Sequence, residues 1–154
     1  MDKKERAERK AFKDKVGEAR YELIKRAKER ITEAKDNGYY LEAITILESL
    51  IADRLESILA KSETNEKGFK ALGRLIKKVK NSTTLDPGFK NLIETELDKW
   101  KDKRNQALHE MVKLEEGNLH EWDERYGKFE IEIKKGLDIF NEIDKAKKKL
   151  DRQK

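Results

Sequence analysis

A chain of 154 residues is the size of one domain and long enough to bury a core without covalent staples. Charged residues make up 45% and mean hydropathy is −1.00, yet the 36% of apolar residues recur at helical spacing and Pro occurs once, which excludes a disordered linker. The absence of Cys excludes a disulfide scaffold and a thiolate metal site, and 37 basic against 32 acidic residues permit a nucleic-acid partner without requiring one.

Five helical segments and no strand are predicted, which gives an all-α, up-and-down helical bundle in a single domain over residues 1–154. Residues 1–38 form a long N-terminal helix, 39–150 the bundle core and 144–154 a basic tail. The first helix runs from about Lys4 to Lys35, with Phe12, Val16, Ala19, Leu23, Ala27, Ile31 and Ala34 spaced three or four apart to face a core. It stops at Asp36-Asn37-Gly38, where Asn and Gly supply a left-handed closing residue.

The second segment, 39–62, carries the stripe Ile44, Leu47, Ile51, Leu55 and Ile58. A third, about Lys67 to Lys80, faces inward with Leu72, Leu75, Ile76 and Val79, and outward with Lys70, Arg74, Lys77 and Lys78. That basic face is one an RNA backbone can follow, though a solvated helix face is the more ordinary reading.

The loop 81-NSTTLDPG-88 holds a strong turn signal in Asp-Pro-Gly. A fourth helix then covers about Phe89 to Leu114, an irregular stretch covers 115–128, and a fifth helix covers about Phe129 to Leu150. The KAKKKLDRQK tail is expected to be frayed and solvated. The N-terminus lacks a signal-peptide core and no apolar run spans a membrane, so a cytoplasmic, membrane-free protein is expected.

Projected at about 100° per residue, the fourth helix places Ile93, Leu97, Trp100, Leu108 and Met111 on one stripe. Arg104 falls in the middle of it, so a permanently charged side chain is predicted on the packing face, where it must meet a carboxylate, a cleft or a subunit interface. Glu48, on the edge of the second helix's stripe, is a candidate acid for it, and Asp53 is a poorer one. Arg54 flanks the same stripe and is expected to add positive potential to the cleft. His109 lies about 140° around the helix from Arg104 and roughly 7.5 Å along it, so the two do not converge within one straight helix.

Arg104-Asn105-Gln106-Ala107-Leu108-His109 resembles the signature of the HEPN superfamily: Arg, four to six residues, then His, commonly with a polar residue after the Arg. The second helix, LEAITILESLIADRLESIL, is similar to the acid-bearing helix that precedes the motif in that family. The resemblance implies a homodimer whose two Arg/His motifs share one cleft. It also implies metal-independent endoribonuclease activity, with no cofactor and RNA as substrate, in a toxin or antiviral-defence role. The 2′-OH of RNA would attack the neighbouring phosphate, leaving a 2′,3′-cyclic phosphate and a 5′-OH. His109 would serve as general acid/base, Arg104 would stabilise the phosphorane oxygens, Asn105 would position, and Glu48 would support Arg104. Family toxins restrained by nucleotidyltransferase partners carry a Tyr two residues after the His. Met111 stands there, so control by modification of that tyrosine has no support, while the resemblance still allows a neutralising protein partner.

Two other readings remain open. One is a non-catalytic HEPN-like module that binds RNA, a nucleotide or a protein; the other is a structural interaction protein in which Arg104 is a buried ion pair. His109-Glu110 begins like a zinc-protease motif, but Lys113 occupies the second His position. His120 lacks further ligands and reads as a loop or interface residue. Gly68 and Gly73 have no P-loop context, Trp100 reads as core, and Trp122 is a possible base-stacking residue.

Overall fold

The computed structural model describes residues 2–62, 70–114, 117 and 121–153. Helix α1 spans Lys3–Asp36, α2 Tyr40–Ser62, α3 Leu72–Asn81, α4 Pro87–Leu92, α5 Asp98–Glu110 and α6 Trp122–Arg152. A π-helical turn, Ile93–Leu97, joins α4 to α5, so these two and the turn form one interrupted rod and the bundle has five rods. No strand occurs among the described residues.

Local chemistry sets the helix ends. Asp2 and Glu5 form a reciprocal capping box on α1. Gly38, at φ 79°, supplies the left-handed residue that turns the chain into α2. The Asp-Pro-Gly turn signal is itself a helix start: the Asp86 carboxylate accepts from the Phe89 N–H at 3.0 Å and Pro87 takes the first helical position.

Side-chain partners fix the helix directions. Arg30 pairs with Glu42 near the α1–α2 turn and Arg20 with Asp53 farther from it, as in an antiparallel hairpin. Tyr40–Glu130, Arg54–Asp144 and Lys61–Asp151 share one sequence offset, so α6 runs parallel to α2. The rod ending in α5 returns antiparallel to α6, with Trp100 beside Glu132 and Glu110 beside Arg125.

The predicted stripes of α2 and α3 are the core: Ile44, Leu47, Ile51, Leu55, Ile58, Leu72, Leu75, Ile76 and Val79 are all buried. Ile93, Leu97, Trp100, Phe129, Ile133, Phe140 and Ile143 complete it. At the α6 crossing, a Cβ on Gly136 would stand 2.5 Å from Leu47 Cδ2 and 2.8 Å from the Trp100 ring, so only a glycine lets the backbone this close.

Four expectations are corrected. In α1 only Ile31 and Ala34 are buried; Phe12, Val16 and Leu23 are exposed, Phe12 and Val16 in the first half of the helix, where no residue is buried. Leu108 is exposed, since α5 buries Trp100, Met111 just past its end is buried on the same side, and Leu108 is turned off that line. Residues 122–128 are helical, held by Tyr126, whose ring stacks on Tyr40 at 5.0 Å and whose hydroxyl donates to the Gly38 carbonyl at 2.8 Å. The tail is helical to Arg152 rather than frayed, with Asp151 pairing Lys147 and Lys61 of α2; most of it is solvated as expected, but Lys147 is buried.

Candidate functional site

Arg104 meets Glu48 across the α2–α5 contact. Its Nη1 donates to Glu48 Oε2 at 2.5 Å and its Nη2 to Oε1 at 3.1 Å, a two-pronged pair that fixes the guanidinium plane. The Trp100 ring lies 5.9 Å from the guanidinium carbon and walls a second side. The Arg104 side chain is 12% exposed and that of Glu48 29%, so the pair sits at the rim of the core rather than within it. The Nε–H of Arg104 is buried and has no acceptor among the described residues.

Asn105 and His109 are exposed on α5, His109 in its last turn. Since α5 is regular between the two, His109 stays about 140° around the helix from Arg104. One chain therefore brings Arg104 and Glu48 together, keeps Asn105 beside them in sequence, and does not bring His109 onto the guanidinium.

The remaining candidates separate. Arg54 turns to α6 and pairs with Asp144 at 3.4 Å, so it belongs to another face of α2 and lends no charge to the expected cleft around Arg104. Asp53 faces Arg20 at 3.9 Å on α1. Lys70 is buried, which removes it from the outer basic face of α3, whereas Arg74 and Lys77 are exposed on α3 and Lys78 is half-buried. Trp100 is core, its indole N–H donating to the Glu132 carbonyl at 2.7 Å. Trp122 is exposed and stacks on Tyr126 at 6.0 Å. His120 and Gly68 lie outside the described residues.

Arg125 is a support the sequence did not disclose. It is buried on α6, and one guanidinium nitrogen donates to the carbonyls of Glu110 at 2.5 Å and Lys113 at 2.6 Å, which closes the α5 terminus just after His109. It falls in the stretch 115–128 that spacing reads as irregular, and only the return of α6 beside α5 covers it. Among the described residues no three His, Cys, Asp or Glu side chains are grouped to hold a metal ion, and no helix is long and apolar enough to cross a membrane. No family model, curated protein or solved structure matches the chain.

Proposed function

We propose that this chain is a HEPN-type endoribonuclease in which two copies set Arg104 of one beside His109 of the other over a single RNA phosphodiester. The observation that carries the reading is the two-pronged Arg104–Glu48 pair: a guanidinium oriented at the core rim, on the same helix as an exposed imidazole. An arginine used only to fill the interior has no need of that exposed neighbour. The separation of the two groups within one chain is what a shared, two-fold site requires.

In this scheme the 2′-oxygen loses its proton as it attacks phosphorus, the P–O5′ bond breaks, and the 5′-oxygen leaves protonated. His109 moves the proton and Arg104 stabilises the charge that gathers on the equatorial phosphoryl oxygens. Asn105 orients the phosphate, and Glu48 holds the guanidinium plane.

The test is RNA cleavage in EDTA. Wild-type protein is expected to cleave, and Arg104→Ala and His109→Ala each to lose about 10²–10³-fold in rate. Mixing the two inactive variants forms hybrid dimers with one intact composite site, which restores about a quarter of the activity by random pairing. Absence of cleavage by wild type, or full activity in His109→Ala, defeats the reading. The shielding of Arg104 by Glu48 and Trp100 favours a second reading, a structural ion pair in a helical interaction protein. Wild-type inactivity with a stability loss of about 1–3 kcal/mol in Arg104→Ala is its signature.

A further inference from the structure

A second polar cluster lies where α1, α2 and α6 meet, and no residue of α5 belongs to it. It lines a cavity of about 470 Å³ with six basic side chains and two carboxylates, Asp144 and Asp151, while a third carboxylate, Asp53, stands 3.9 Å from Arg20 at its edge. Each lining carboxylate is shared. Asp144 faces Arg54 at 3.4 Å and Lys148 at 2.8 Å, while Asp151 accepts from Lys147 at 2.8 Å and also holds Lys61. Lys25 has no carboxylate partner among the described residues, and Lys28 rests its ammonium 4.9 Å from the Phe140 ring.

Two further observations mark this positive charge as under-compensated. The buried Nε–H of Arg54 has no hydrogen-bond acceptor, its contact with Asp144 being an ion pair without hydrogen-bond geometry. Lys147 is 7% exposed, and its ammonium is pushed down to about 8 by burial and then by neighbouring Lys61, Arg54 and Arg20, although it also donates to Asp151. A cavity walled by cations that repel one another and retain unused donors is stabilised by a compact, multiply charged anion.

We infer that the cavity between α1, α2 and α6 binds a di- or triphosphate group, free or carried on a nucleoside, through Lys28, Arg54, Lys147 and Lys148. Phosphate oxygens lie against the rim of the Arg54 guanidinium and bridge the lysines that two aspartates hold incompletely. Tyr21, exposed at the rim, offers its ring to whatever the phosphates carry. The site shares no residue with the Arg104 face, so it stands or falls independently of the proposed cleavage.

The experiment is calorimetric titration of the purified chain with inorganic tripolyphosphate at low salt. One site per chain is expected, weakened at least about tenfold in Lys28→Met/Lys147→Met and several-fold in Lys148→Met, whose side chain is exposed and whose loss leaves the core intact. The matched control Lys10→Met/Lys99→Met removes the same charge elsewhere and is expected to bind as wild type. In wild type, tripolyphosphate raises the titration midpoint of the Lys147 ammonium, followed by NMR of its ε-carbon. ATP binding equal to tripolyphosphate assigns recognition to the phosphates alone. Tighter ATP binding that Tyr21→Ala returns to the tripolyphosphate level adds a base on the Tyr21 ring. No binding, equal losses in the control variant, or displacement by an RNA oligomer lacking terminal phosphates at equal affinity per chain overturns the assignment.

Discussion

Gly136 is the residue on which helix packing tolerates least. Adding one methyl there drives into Leu47 and Trp100, two side chains locked in the core. Gly136→Ala is expected to cost about 1–3 kcal/mol despite its better helix propensity, as read from the urea midpoint. Arg104 was legible in the sequence because a charge on an apolar stripe violates the helical period, and Glu48 because it sits on the edge of the facing stripe. Gly136 was silent, since a glycine in a helix carries no mark of which backbone approaches it. The burial of Arg125 and Lys147 was silent for a related reason: lysines and arginines in charge-rich segments look solvated until a neighbouring helix covers them.

At the scale of elements, α1 divides into two parts. Its last turns pack Ile31 and Ala34, whereas from Lys3 to Arg20 no residue is buried. Periodicity announces an amphipathic helix, but it does not say how far the rest of the bundle extends alongside it. Phe12→Ser is therefore expected to change unfolding stability by less than about 0.5 kcal/mol, whereas Ile31→Ala is expected to cost about 2–5 kcal/mol. Equal losses at the two positions would show that the outer half of α1 is covered in solution. The α4–α5 rod was read as one uninterrupted helix from its apolar spacing. Its π turn at Ile93–Leu97, closed by the Asp98 N–H on the Ile93 carbonyl, leaves no signature in that pattern because Ile93 and Leu97 remain inward on either geometry.

For the molecule as a whole, the parallel pairing of α2 with α6 creates a charge arrangement with its own pH dependence. The depressed Lys147 binds its proton less firmly folded than unfolded. Between its folded value of about 8 and the ordinary 10.5, the unfolded chain holds more protons and stability rises with pH. Below about 8 both states are protonated and the cost of the buried ammonium is fully present. Between about pH 7.5 and 9.5, wild type is expected to gain urea resistance relative to Lys147→Met, and a constant difference between the two would count against the burial. Asp98 acts in the opposite range. The Lys101 and Lys80 ammoniums hold its carboxyl below the usual value of 3.8, so its contribution is present above that value and is lost as acid protonates the folded form.

Spacing along the chain determined the helices, the core stripes of α2 and α3, the turn at Gly38 and the presence of a charge at position 104 facing inward, because each follows from a period of 3.6 residues or from the conformational freedom of one residue type. Tertiary structure alone decided that Arg54 turns away from Arg104 to Asp144 of α6, that Arg125 and Lys147 are covered, and that α1, α2 and α6 enclose a cationic cavity. Those outcomes depend on which helix faces are brought together, and a local pattern contains no information on the angle at which two helices meet.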